Sequence, residues 1–249
     1  MKILFTICGR AGSKGIKNKN IRQMVGKPLP YYPLSAIDLY LKKNEDVEYH
    51  IVASSDSQEL LQMMRENSMR TVDIIDREER LSGGVIGKIE VIADCLNKME
   101  ERKNCKYDMV VDLDITSPLR RMEDIENVIN KHLETGADVT TTVAPARRNP
   151  YFNQLKKTEH GFKKVIESNY TARQQAPEIF DMNASIYAYS PEFLGSGKGV
   201  LDGYVECVEM TDTGVLDLDH ENDFLLMELV AKYFFENLDG YKEVFDNIK

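Results

Sequence analysis

Between Lys2 and Val143, short β-branched apolar runs of strand length alternate with stretches whose apolar residues recur at helical spacing. This alternation constrains the fold more than any other feature, because parallel strands need long crossovers and a helix packed on the sheet is the ordinary one. Lys2 to Cys8 (K-I-L-F-T-I-C) reads as a first strand that stops at Gly9. After a glycine-punctuated loop, Leu34, Ile37 and Leu41 put a helix over roughly 33–43. Tyr49 to Ser54 is a second strand, and Ser55-Asp56-Ser57 offers N-cap oxygens to a helix carrying Leu60, Leu61 and Met64. Thr71 to Ile75 follows as a strand, and Ile89, Ile92, Ala93, Leu96 and Met99 mark one helical face. Met109 to Ile115 is the next strand, ended by Thr116-Ser117-Pro118. Ile125, Val128, Ile129 and Leu133 stripe a helix that Gly136 can terminate.

After Val139 to Val143 the pattern changes. Helical periodicity is lost from Arg147 to Ile179, where Tyr151 to Lys156 and Phe162 to Glu167 look like a two-stranded excursion. Such a hairpin is marginal alone in water, so it is expected to pack on a partner subunit. Ser185 to Tyr189 and Gly214 to Leu218 return to strand character, and Phe224 to Phe235 is a closing helix. The expected architecture is α/β, a Rossmann-like, largely parallel sheet with flanking helices and a β-rich dimerisation arm. Residues 1–143 and 183–249 form the core, and 144–182 the inserted arm.

The chain has 249 residues, 42% of them apolar, enough for a sizeable core. With 32 basic against 41 acidic side chains the net charge is −9, a balance that argues against a general nucleic-acid binder. No apolar stretch approaches the ~20 residues of a membrane helix. The segment Ile3 to Cys8 lacks the length and cleavage site of a signal peptide, so a cytoplasmic protein is expected. Cys8, Cys95, Cys105 and Cys207 form no C-x-x-C pair, and the four histidines are scattered, which gives zinc chemistry little support.

The charge is uneven. From Gly9 to Ile37 there is no acidic residue, whereas Arg10, Lys14, Lys17, Lys19, Arg22 and Lys27 supply six positive charges and leave −15 on the remainder. A cationic island of this kind suits a small polyanion. It coincides with Gly9-Arg10-Ala11-Gly12-Ser13-Lys14-Gly15, glycine at every third position directly after the first strand. That is where an α/β sheet binds ligands and where backbone N–H groups can approach phosphate oxygens. It is neither a Walker loop nor G-x-G-x-x-G. Asp217 and Asp219, two apart in a strand-like run, direct their carboxylates to one face. Such a pair, together with substrate phosphates, is an ordinary Mg²⁺ arrangement, and an acidic surface turn is the alternative. Asp112 and Asp114 make a second D-x-D at a strand end, so two candidate metal pairs stand open.

These residues, in this order, resemble the CMP-N-acylneuraminate synthetases, the cytidylyltransferases that activate sialic and related nonulosonic acids. Arg10 to Gly15 with Lys19-Asn20 looks like that family's R-x-G-S-K-G-x-x-x-K-N loop. Arg77 and Leu81 match its R-x-x-x-L, Thr116 to Arg120 its T-S-P-L-R, and Asp217 to Asp219 its D-I-D. Asn183-Ala184-Ser185-Ile186-Tyr187 follows its N-G-x-I-Y, with alanine for glycine. Asp114 stands where the family typically has glutamine, and an acceptor-only carboxylate cannot replace an amide's donors. The D-L-D-x-T-S-P-L-R wording, with the segments around Arg147, Arg173-Gln174 and Asn183, looks most like the branch that activates legionaminic acid, with sialic acid next and pseudaminic acid and the octulosonate of lipopolysaccharide open.

The resemblance implies that Arg10, Gly12, Ser13, Lys14, Lys19, Asn20 and Arg77 hold CTP, and that Asp217 and Asp219 bind Mg²⁺. It implies further that the arm helps form a homodimer and the sugar pocket, with Asp114, Arg147, Arg173, Gln174 and Asn183 as substrate contacts. The expected reaction is attack of a nonulosonic acid hydroxyl on the α-phosphorus of CTP, with Arg10, Lys14, Lys19 and the Asp217-bound metal offsetting the charge. Two other readings are open on the residues alone. One is a nucleotide-sugar-dependent glycosyltransferase using Asp112 and Asp114 as its metal site, and the other a non-catalytic nucleotide-binding regulator.

Overall fold

A computed structural model of the protein describes residues 1–12, 15–82, 87–211, 218 and 220–249. In chain order the strands are β1 (Lys2–Cys8), β2 (Gln23–Met24), β3 (Lys27–Pro28), β4 (Glu48–Ser55), β5 (Asp73–Asp76) and β6 (Met109–Leu113), then β7 (Val139–Pro145), β8 (Leu155–Thr158), β9 (Gly161–Lys164), β10 (Phe180–Tyr189) and β11 (Val205–Glu209). The helices are α1 (Tyr31–Lys43), α2 (Gln58–Glu66), α3 (Lys88–Lys103), α4 (Met122–Thr135), α5 (Pro191–Leu194), α6 (Glu221–Asn237) and α7 (Asp239–Asp246).

Seven strands form one sheet in the order β11-β7-β10-β6-β1-β4-β5. β1 pairs in parallel with β4 and β6, β4 with β5, and β11 with β7, whereas β10 runs antiparallel to both β6 and β7. The carboxyl ends of β1, β4, β6, β7 and β11 therefore share one edge, together with the amino end of β10. Residue alternation along β1 assigns the two faces. Ile3, Phe5 and Ile7 pack with Leu34 and Ile37 of α1, Ile125 of α4 and Phe224 of α6, while Leu4 and Cys8 pack with Val91, Ile92 and Cys95 of α3. Helices thus cover both faces, as the alternating pattern predicts.

Local signals end the helices where expected. The Ser57 hydroxyl accepts from Leu60 N–H at the start of α2, and Gly136 closes α4 at φ 62°. In the first half, β2 and β3 pair as a small antiparallel sheet where only a loop is expected, and the larger differences lie in the second half. β10 begins at Phe180, five residues before the expected strand, and carries a register shift between Met182 and Tyr187. Ala184 within that bulge has φ 50°, a left-handed conformation. β11, α5 and α7 are additional to the expected elements. The hairpin exists, with its strands at 155–158 and 161–164 instead of 151–156 and 162–167, and forms a separate two-stranded sheet. Leu155 and Phe162 on it are 61% and 68% exposed. The strand expected at Gly214 to Leu218 lies outside the described residues apart from Leu218, which is buried. Among the described residues no helix is long and apolar enough to cross a membrane.

Candidate active site

A cleft of ≈ 340 Å³ opens at the shared sheet edge, beyond the ends of β1 and β6. Its first wall is the loop after β1. Gly9 has no room for a side chain, since a Cβ there would lie 2.8 Å from Ile115 Cδ1 and 2.9 Å from Leu60 Cδ1. Gly12 turns the chain at φ 69°. The loop is pinned at both ends, by Ala11 N–H donating to Asp56 Oδ1 at 2.6 Å and by the fully buried Ile16. Asn20 Nδ2 donates to the Arg10 carbonyl at 2.9 Å, which fixes the loop's width. Arg10, Lys19 and Asn20 all line the cleft. Lys19 Nζ also donates to the Leu218 carbonyl at 2.6 Å.

The opposite wall is Arg77, Leu81, Ser82, Lys88 and Val91, from the end of β5 to the first turn of α3. Arg77 is buried and held by β4, its Nη2 donating to the Ser54 carbonyl at 2.8 Å. Between the walls, at the floor, lies an ion cluster. Lys88 Nζ stands 2.7 Å from Asp112 Oδ2 and 2.7 Å from Asp114 Oδ2. Asp112 is fully buried and its Oδ1 accepts from the Thr6 hydroxyl at 2.7 Å. Asp114 Oδ1 accepts from both Thr116 N–H (2.8 Å) and Thr116 Oγ1 (2.7 Å).

Burial alone would raise the Asp114 carboxyl, but Lys88 and the Thr116 hydrogen bonds outweigh it and hold it at about 2. Burial likewise opposes charge on Lys88, and the two carboxylates reverse that and push its ammonium well above the ordinary lysine value. Behind the floor, the fully buried Arg120 donates to the carbonyls of Asp114 and Ser117 and to Ser185 Oγ, and burial brings its guanidinium down to about 10.

Farther along the same edge, beyond β7, β10 and β11, a second cavity of ≈ 380 Å³ is lined by Ala146, Asn149, Arg173, Gln174 and Glu178. An adjoining hollow adds Arg147 and Arg148. Arg173 Nη2 is anchored on the Ala146 carbonyl at 2.7 Å.

The structure therefore brings Arg10, Lys19, Asn20 and Arg77 together in one cleft, and Arg173 and Gln174 in another, with Arg147 in the hollow adjoining it. Asp114 joins the first group. Gly12 turns beside the first cleft, in a side hollow lined by Arg10 and Asn20. Asn183 lines neither cavity. It is buried in the β10 bulge, where its Oδ1 accepts from Thr142 Oγ1 at 2.6 Å. Ser13, Lys14, Asp217 and Asp219 lie outside the described residues. Among the described residues no group of three or more His, Cys, Asp or Glu side chains is placed to hold a metal. The cation between Asp112 and Asp114 is an ammonium. Sequence reasoning missed Lys88, and the D-x-D spacing carried the signal that a cation belonged there.

A glycine loop and cationic walls at the switch edge of an α/β sheet define a nucleotide-binding enzyme class. The cytidylyltransferase family model matches residues 4–227, and the chain belongs to that family. It is 35% identical to the post-translational flagellin modification protein B of Campylobacter coli over 231 residues, 93% of this chain and 95% of that protein. It is 34% identical to the CMP-N,N'-diacetyllegionaminic acid synthase of Campylobacter jejuni over 229 residues, 92% and 94% of the two chains. The fold is similar to that of CMP:2-keto-3-deoxy-manno-octonic acid synthetase complexed with CTP, with a TM-score of 0.63 at 14% identity over 93% of this chain and 99% of that one.

Proposed function

We propose that this cytidylyltransferase transfers CMP from CTP to a nonulosonic acid, with legionaminic acid or a derivative as the preferred acceptor. The observation that carries the reading is the pair of cavities on one sheet edge. The first gathers Arg10, Lys19, Asn20 and Arg77 as a triphosphate seat, and the second gathers Arg173, Gln174 and the neighbouring Arg147. A guanidinium pair suits the carboxylate of a sugar acid, and Gln174 suits its amide groups. The similarity to a CMP-N,N'-diacetyllegionaminic acid synthase supports the acceptor preference.

In this scheme the acceptor's anomeric hydroxyl attacks the α-phosphorus in line and pyrophosphate leaves. Arg10, Lys14 and Lys19 offset the charge that builds on the leaving group. Asp217 and Asp219 would hold Mg²⁺, which adds charge neutralisation on the phosphates. The family match speaks against the glycosyltransferase alternative, and Lys88 supplies a cation to both Asp112 and Asp114. Residues 144–182 form the arm of a cytoplasmic homodimer in this reading, and the exposed Leu155 and Phe162 give that arm an apolar surface. Light scattering should give twice the 28.5 kDa chain mass.

The test is pyrophosphate release with CTP and a panel of acceptors: N,N'-diacetyllegionaminic, pseudaminic, N-acetylneuraminic and 3-deoxy-manno-octulosonic acids. The legionaminic acid should give the highest kcat/KM. Turnover with another member alone would reassign the acceptor, and turnover with none would overturn the proposal in favour of a non-catalytic binder.

A further inference from the structure

We infer that Lys88 and Asp114 together read the base of the nucleotide and are the residues that select cytosine over uracil. The inference rests on the reading of the first cleft as a CTP site, and it adds a specificity role for Lys88 and for the ion cluster at the cleft floor.

The count of hydrogen-bonding positions leads there. A lysine ammonium has three N–H donors, and a carboxylate offers about four lone-pair positions. Lys88 donates to Asp114 Oδ2 and forms an ion pair with Asp112 Oδ2 at 2.7 Å. Asp114 uses three acceptor positions, on Lys88, Thr116 N–H and Thr116 Oγ1. Among the described residues this leaves at least one donor on Lys88 and one acceptor position on Asp114. The two side chains are 33% and 22% exposed and both line the cleft, whereas Asp112 beneath them is 0% exposed.

The two walls orient a ligand. Gly9, Arg10, Lys19 and Asn20 present backbone and cations suited to phosphates; the second wall adds Arg77, and at its Lys88 end the nearly buried Leu81 and Val91 back the cleft with apolar side chains. Lys88 lies on this second wall, and Asp114 beside it. Cytosine presents an acceptor, N3, next to a donor, its N4 amino group. The donor of Lys88 matches N3 and the acceptor of Asp114 matches the amino group. Uracil inverts both positions: N3–H would face the ammonium and O4 would face the carboxylate. With the triphosphate fixing the base's direction, uracil cannot turn to exchange the two contacts.

The pair is also held in place. Lys88 is the first residue of α3, where the helix dipole disfavours a cation, so the carboxylates and not the helix keep it there. Asp112, tied to Thr6, fixes the ammonium from below. Rigid placement of this kind makes a mispaired base costly, since the site's polar groups would be left unmatched.

The test is calorimetric titration of CTP and UTP into the full-length protein, without a sugar acid, for wild type, Lys88→Met, Lys88→Arg and Asp114→Asn, with melting curves to establish that each variant is folded. Wild type should bind CTP at least ~30-fold more tightly than UTP, and Lys88→Met and Asp114→Asn should each lower that ratio at least ~10-fold. Lys88→Arg, which keeps charge and donors, should retain most of the preference. A merely structural role would lower melting temperature and weaken both nucleotides alike, leaving the ratio unchanged. Ratios within about twofold of wild type in the folded variants would overturn the inference while leaving the cytidylyltransferase reading intact. If Lys88→Met does not fold, Asp114→Asn decides alone, because it keeps the Lys88–Asp112 pair. A wild-type protein that binds neither nucleotide would overturn both.

Discussion

Replacing Asp114 by asparagine should destabilise the protein in a pH-dependent way that the floor of the cleft specifies. Asparagine keeps an oxygen for Thr116 but turns a donor toward the Lys88 ammonium, so the charge pair is lost and the Thr116 contacts are not. The Asp114 carboxyl is lowered from 3.8 to about 2 in the folded protein, and at 1.36 kcal/mol per pKa unit its ionised form contributes about 2 kcal/mol. Because the folded value is the depressed one, this contribution is complete above the unfolded value near 3.8 and fades as pH falls toward 2. Urea unfolding of wild type and variant in parallel should show a gap of about 2 kcal/mol at neutral pH and at pH ~5, about half of it at pH ~3, and none below pH ~2. A gap constant across that range would show a packing defect instead of a lost ion pair, and would refute the electrostatic account of the floor.

Two other substitutions probe the same site, and a third probes the β10 bulge. Lys19→Ala should lower kcat/KM for CTP by ~30-fold or more, about 2 kcal/mol of transition-state stabilisation, and a loss within twofold would remove Lys19 from the phosphate seat. Gly9→Ala forces a methyl to 2.8 Å from Ile115 Cδ1 and 3.2 Å from Asn20 Nδ2. It should cost about 1–3 kcal/mol in urea unfolding and raise KM for CTP, because Asn20 sets the loop's width. Ala184→Gly should raise stability by about 0.5–1 kcal/mol, since φ 50° strains an alanine more than glycine's extra freedom costs in the unfolded chain. A lower urea midpoint would show that the bulge depends on the alanine.

The first half of the fold was legible because its central strands β1 and β6 are buried on both faces and its helices carry apolar stripes, as Leu60, Leu61 and Met64 do in α2. The second half hid its strands. In β11 the sequence V-E-C-V-E puts acidic residues into an edge strand, and in β10 the bulge at Asn183 and Ala184 breaks the two-residue period. α7 is short and largely polar, so its burial depends on Tyr241 and Val244 meeting the core, which no local pattern announces.

The candidate cleft was legible where motif and topology coincide, at Gly9, Arg10, Lys19, Asn20 and Arg77. Lys88 was not, because a single lysine at a helix start has no local mark of burial. Its partners Asp112 and Asp114 lie on β6, a separate element that only the folded sheet brings to it. Asn183 shows the converse, a residue singled out from its motif that the fold seats inside the bulge and away from both cavities.

The central claim is that this sheet edge carries out transfer of CMP to a sugar acid. Its most direct test follows the phosphorus atoms of CTP labelled separately at the α and γ positions, with N,N'-diacetyllegionaminic acid as acceptor. The account predicts that the α label appears in a CMP-sugar and the γ label in pyrophosphate, in equal amounts. An α label recovered as free CMP or CDP, or a γ label transferred to the sugar, would contradict it.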